Sequence, residues 1–167
     1  MKFLIDAMLG RLARFLRIFG YDTVFANDLE ELYDISPIPD LKLKQFARES
    51  HRIVITKDLQ FYHSLCDNRV YLKGVGVYNY LSQLKSELGL DYNFDPKKTR
   101  CSVCNSEMKM VTDKELIRNS VKTETYHNFN EFYRCINPSC EKIFWKGSHI
   151  EDIISRLEKH RAEKDII

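Results

Sequence analysis

The chain has 167 residues, 44% hydrophobic and 30% charged, a composition that supports a globular core and excludes a disordered chain. Its formal net charge is only +2, so overall charge does not announce a nucleic-acid partner, and no apolar run approaches the ~20 residues of a membrane span. Asp6 and Arg11 interrupt the N-terminal apolar stretch, so no secretory leader is expected; the expected compartment is the cytoplasm, with no membrane partner.

Lys2–Ile5 (KFLI) reads as a buried strand, and Met8 to Phe19 has helical periodicity closed by Gly20. A second short strand follows at Thr23–Ala26. Asn27 to Pro39, with two prolines and four acids, reads as a loop or irregular insertion. Asp40 is expected to cap a helix reaching about Ser50, before a third strand, Arg52–Thr56 (RIVIT). A short helix after Asp58, a strand at Val70–Leu72 and a helix over Asn79–Leu88 complete this part. Such alternation predicts a parallel sheet with helices on both faces.

The pattern changes after Leu90, where DYNFDPKKTR reads as a linker. Two cysteine pairs with short β-rich stretches follow, and Ser148-His149-Ile150-Glu151 is a capping box opening a terminal helix. The expected division is an α/β domain over 1–92, a small cysteine-bearing domain over 97–150 and a C-terminal helix over 151–167. Charge is uneven between them: residues 1–96 hold 12 basic and 13 acidic side chains, whereas 97–150 hold 10 and 6. That mild basic bias in the second part suits phosphate contact.

A buried strand has no need of a carboxylate at its tip, yet Asp6 ends the first one. Asp58 follows the third strand, and Asp40 opens the helix leading back into it. In an open parallel sheet ligands bind beyond the carboxyl ends of the strands, so these three acids are expected at one rim. Gathered carboxylates suit Mg²⁺ or Mn²⁺, which take oxygen ligands, and such an ion promotes phosphodiester hydrolysis. Thr56 is placed to orient a water or to hold Asp58. The competing reading is that each acid caps a helix.

Arg11, Arg14 and Arg17 form one polar stripe, since each step of three residues turns about 300° on a helical wheel. Arg11 and Arg14, nearest Asp6, are the candidates for phosphate contact; Arg17 is expected on a solvated face. Asp28 lies within reach of a metal site without any spacing that demands it. His51 and His63 receive no role, and Cys66 is expected to be a small buried apolar side chain.

The pairs Cys101–Cys104 and Cys135–Cys140 have metal-ligand spacing, and the 30 residues between them allow a β-hairpin return. Four thiolates close a tetrahedral structural Zn²⁺ site. Around it lie Lys97, Lys98, Arg100, Arg134, Lys142, Phe144, Trp145 and Lys146. Basic residues interleaved with rings suit RNA; the candidate contacts are Lys98, Arg100, Trp145, Lys146 and His149. Phe144 is expected to pack the cysteine-bearing segment against its neighbour.

Together FLIDAMLGRLARFLRIFGYDT, DLKLKQFARESHRIVITKD, RCSVCN and CEKIFWKGSH resemble the Mut-seven C-terminal RNase domain, a PIN-like ribonuclease family with a fused zinc ribbon. The resemblance implies a PIN-like α/β fold followed by a zinc ribbon, and metal-dependent cleavage of RNA. On it Asp6, Asp40 and Asp58 match the family's catalytic acids, and Cys101, Cys104, Cys135 and Cys140 its four zinc ligands. The second pair departs from the family's usual Cys-x₂-Cys, because INPS widens it, and the 27–39 loop looks longer than usual.

The leading expectation is therefore a Mg²⁺- or Mn²⁺-dependent endoribonuclease whose ribbon grips RNA, with rRNA, tRNA or the ribosome as candidate partners. The alternatives are a non-catalytic RNA- or ribosome-binding module, and a protein-interaction module using Ile150, Ile153, Ile154 and Leu157 of the terminal helix.

Overall fold

The computed structural model describes the backbone of residues 1–164 and the side chains of residues 1–160. Two compact units are formed, one from Met1–Arg17 with Tyr21–Asp91, the other from Ile18–Gly20 and the chain from Tyr92 onward.

In the first unit β1 (Lys2–Ile5) runs through a 3₁₀ turn, Ala7–Leu9, into α1 (Gly10–Ile18). Then come β2 (Asp22–Phe25), α2 (Asp28–Tyr33), α3 (Asp40–Glu49), β3 (Ile53–Thr56), α4 (Leu59–Ser64), β4 (Arg69–Tyr71) and α5 (Val77–Leu88). The four strands pair in parallel in the order β2-β1-β3-β4. Leu4 and Val54 point to one face, where they join Ala26, Leu29, Leu43, Ala47 and Phe61 in a buried cluster. By strand alternation Phe3, Ile5 and Ile55 point to the other face, and all three are 0% exposed. Both faces are covered, as a parallel sheet requires.

Asn27 to Pro39 is not simply a loop. Asp28–Tyr33 forms α2 because Leu29 and, beyond the helix, Ile38 are anchors in the buried cluster; Asp34 closes it in the left-handed conformation, φ 52°, ahead of both prolines. Asp40 is the first residue of α3 rather than its cap, a position held by Pro39, whose carbonyl accepts from Lys42 N and Leu43 N. Arg17 is not solvated either. It is 2% exposed, its Nε donating to Thr23 O at 2.8 Å and its terminal nitrogen paired with Asp28. The periodicity that placed it on a polar stripe could not see this acid arriving from α2.

In the second unit β5 (Met108–Met110), β6 (Tyr133–Cys135) and β7 (Ile143–Phe144) form an antiparallel sheet in that order. The hairpin between the cysteine pairs therefore exists, but its long return carries a 3₁₀ turn at Lys114–Ile117 and a helix, α6 (Thr123–Asn128). Ile117, Phe132 and Ile143 bury against Phe129 and Trp145 and fix this helical insert. Helix α7 spans Ser148–Lys164, beginning where the capping box predicts; residues 165–167 of the expected helix lie outside the described residues. Ile150 and Ile153 are 3% and 1% exposed, while Ile154 and Leu157 are half-buried, so much of the apolar face of α7 is already covered. No described helix is long and apolar enough to cross a membrane.

Candidate functional site

The strand order makes the connections after β1 and β3 leave the sheet at neighbouring positions, a topological switch point where the crevice beyond the strands opens. Asp6 and Thr56 stand level there, because Ile5 pairs with Ile55 and Asp6 N donates to Ile55 O at 3.1 Å. Thr56 is fully buried. Its hydroxyl donates to Asp6 Oδ2 and accepts from Asp58 N at 2.8 Å. One threonine thus ties the first acid to the loop carrying the third, so it holds Asp6 by side chain and Asp58 by backbone.

The capping readings are partly real. Asp6 Oδ1 accepts from Ala7 N at 2.6 Å, and Asp58 Oδ1 accepts from Phe61 N at 2.8 Å at the start of α4. Asp40 makes no such cap bond. Its pKa is raised instead, first by partial burial and then by the negative charges of Asp58 and Asp6, with Lys44 acting in the opposite sense. The three aspartates therefore meet electrostatically at one rim of the sheet.

They do not form a closed ligand cage. Among the described residues, the four cysteines are the one group of three or more potential ligands whose donor atoms all lie within 4.8 Å of one another. Oxygens sharing an octahedral Mg²⁺ at about 2.1 Å stand about 3.0 Å apart when adjacent and about 4.2 Å when opposite. Asp6, Asp40 and Asp58 are not such a group, so in this structure their oxygens are not gathered to the spacing of one shared ion. Each acid is also followed within two residues by an exposed apolar side chain, Met8, Leu41 and Leu59.

Arg11 and Arg14 are exposed on α1, with the Arg11 guanidinium 5.5 Å from the Phe15 ring centroid. Asp28 is absorbed by Arg17 and by Phe25 N, at 3.0 Å, and does not join the acids. Cys66 is exposed rather than buried, since it lies just past the end of α4, where Leu65 takes the buried position.

The cysteine site lies in the second unit. Cys101 Sγ is 3.7 Å from Cys140 Sγ, and Cys104 Sγ is 3.4 Å from Cys135 Sγ. Four thiolates around Zn²⁺ at about 2.3 Å would place sulfurs about 3.8 Å apart, so the donor set and its spacing fit zinc. The widened second turn still presents both thiols, as Glu141 adopts φ 46° and Asn137 O accepts from Cys140 N and Glu141 N. Burial resists ionisation of Cys104, but hydrogen bonding with Ser106, Cys135 and Cys140 outweighs it and lowers its pKa to about 6. Burial pushes the thiols of Cys135 and Cys140 up. Without a cation the quartet cannot carry four charges; a coordinated dication offsets two of them and holds all four sulfurs as thiolates.

The proposed RNA contacts of this unit differ among themselves. Lys146 and His149 are exposed, and Lys98 is exposed beside Asp95 at 3.7 Å. Arg100 is spent on its own turn, its Nε donating to Asn105 O at 2.8 Å. Trp145 packs against Phe129 and Phe132 at centroid distances of 6.4 and 6.2 Å, which leaves only part of its ring for a base. Phe144 packs against Phe94 at 6.1 Å.

Sequence reasoning placed Thr56 to hold Asp58, a role T-x-D signals locally, and missed its bond to Asp6, which lies 50 residues away in the chain. The pairs Arg17–Asp28 and Arg52–Asp22 had no local signal. Comparison with curated proteins and with solved structures returned no match. A family model described as the Mut7-C RNAse domain does match, over residues 1–157. With an α/β unit carrying rim acids and a later cysteine quartet covered by that match, the chain belongs to the Mut7-C RNAse domain family.

Proposed function

We propose that this chain is a metal-dependent endoribonuclease, with residues 1–92 as a PIN-like catalytic domain, 97–150 as a zinc ribbon that helps bind RNA, and 151–167 as a C-terminal helix. The observation that carries the reading is that Thr56 ties Asp6 to the Asp58 loop at the switch point of a sheet in an RNase family, beside Asp40, whose pKa is raised by burial first and then by the charges of Asp58 and Asp6. Asp6, Asp40 and Asp58 would hold Mg²⁺ or Mn²⁺, which when bound supplies charge balance and Lewis acidity toward a phosphodiester. Thr56 fixes Asp6 and the Asp58 loop, so two of the three acids are set before substrate arrives. Arg11 and Arg14 lie on the helix leaving the site and suit neighbouring phosphates. Met8, Leu41 and Leu59 offer apolar contact to unstacked bases. Cys101, Cys104, Cys135 and Cys140 hold a structural Zn²⁺, and Lys98, Lys146 and His149 with the free part of Trp145 extend the RNA path; Arg100 shapes its turn.

The test is cleavage of a labelled structured RNA by wild type and by Asp6→Asn and Asp58→Asn, with Mn²⁺. The expected result is cutting lost by a factor of about 10³ or more in both variants, with fold and RNA affinity retained. A second reading, an RNA- or ribosome-binding module without catalysis, is favoured by the cap bonds of Asp6 and Asp58. It predicts RNA binding, no cutting by any of the three proteins, and indifference of affinity to the substitutions.

A further inference from the structure

We propose that Lys57, to which no role has been assigned, is the residue that grips the phosphate at the acidic rim. The proposal rests on the nuclease reading above and names a further substrate-binding residue of that site.

Lys57 stands between Thr56 and Asp58 at the very tip of β3. By alternation its side chain rises on the face opposite Thr56, toward α5, and its Nζ lies 5.4 Å from the Tyr80 ring centroid. Tyr80 is itself fixed: it is 9% exposed and its hydroxyl donates to Gly74 O at 3.1 Å. The ring therefore holds the ammonium in place without neutralising it. Four other cations of this unit are committed. Arg17 and Arg52 pair with Asp28 and Asp22, Arg69 donates to the carbonyls of Tyr62 and Leu65, and Lys44 offsets the charge on Asp40. Among the described residues no carboxylate lies within 4.0 Å of Lys57.

A half-buried ammonium next in sequence to a rim acid and short of an anionic partner is a site for an anion supplied from outside. A phosphodiester oxygen is the chemistry that fits, because a lysine binds phosphate as a compact point charge. A purely structural role would need only the aliphatic stem against Tyr80, and the test separates the two.

RNA affinity is measured by fluorescence anisotropy with a labelled single-stranded oligoribonucleotide, over a salt series and without added divalent cation. The full chain carries Asp6→Asn to prevent cutting, alone and combined with Lys57→Met or Lys57→Arg. Losing one phosphate contact flattens the slope of log K against log salt by about 0.7. Lys57→Met is expected to show that flattening and a several-fold weaker Kd; Lys57→Arg is expected to retain the slope. With Asp6 intact, Lys57→Met is expected to lower kcat/KM for RNA by about 100-fold and Lys57→Arg far less. An unchanged slope in a Lys57→Met protein of normal thermal midpoint overturns the proposal. If that variant is poorly folded, Lys57→Gln is read on the same scale. Should the wild type bind RNA without cutting it, the nuclease reading fails while the salt slope still decides Lys57. No RNA affinity at all overturns both.

Discussion

Asp40 carries a cost that its neighbours impose. Its carboxyl pKa is raised because partial burial and then the charges of Asp58 and Asp6 oppose ionisation. A folded-state pKa above the unfolded one means that stability falls as pH rises past the unfolded value near 3.8, with the full loss in place above the folded value. Asp40→Asn should therefore stabilise the protein at pH 7, raising the thermal midpoint by about 1–3 °C, and the gain should shrink as pH approaches 4. Mn²⁺ should raise the midpoint of wild type more than that of the variant, which differential scanning fluorimetry can check. Thr56 works in the opposite direction. Thr56→Val keeps the buried volume but strands Asp58 N and removes a donor from Asp6, so denaturant unfolding should report a loss of about 1–3 kcal/mol.

At the scale of elements, the site depends on how α1 and α2 are tied to the sheet. Arg17, near the end of α1, reaches both β2, through Thr23 O, and the first residue of α2, Asp28. Asp28 in turn accepts from Phe25 N at the end of β2. This one pair fixes the start of a segment that finishes at Asp40. Arg17→Met removes the charge and leaves Asp28 and Thr23 O without this donor, and equilibrium unfolding should lose about 2 kcal/mol. That figure sits below the 3–5 kcal/mol of a fully buried pair, because the Asp28 side chain is 36% exposed. Weaker positioning of α2 should also reach Asp40, so that the Mn²⁺ shift of the thermal midpoint shrinks in the same variant.

At the scale of the whole molecule the two units are stabilised differently. The first has a sheet buried on both faces. The second has a three-stranded sheet with small clusters, one of which is built from the cysteines themselves with Met108 and Tyr133. A core of that size needs a metal staple. Purified protein is expected to contain one zinc per chain by elemental analysis. Chelation, or Cys135→Ser, should abolish amide protection across β5, β6 and β7 while β1 and β3 stay protected in hydrogen exchange. Affinity for RNA should then fall if 97–150 contributes to binding.

Much of this protein was legible as a line of letters, because some signals are local. The apolar runs Phe3–Ile5 and Ile53–Ile55 marked the inner strands β1 and β3, and the cysteine spacing marked a four-thiol cluster, since a short turn needs no distant partner to bring two thiols together. Asp6 and Asp58 could likewise be placed just past the carboxyl ends of β1 and β3, because the parallel alternation dictates where strands end. What the tertiary structure decided depends on partners far apart in the chain. Arg17 is buried because Asp28 meets it, α2 exists because Leu29 and Ile38 find a core, and Lys57 stands ready because Tyr80 holds it without a countercharge. Periodicity reports which face a side chain occupies; only packing brings the opposing charge, ring or carbonyl that determines what it does there.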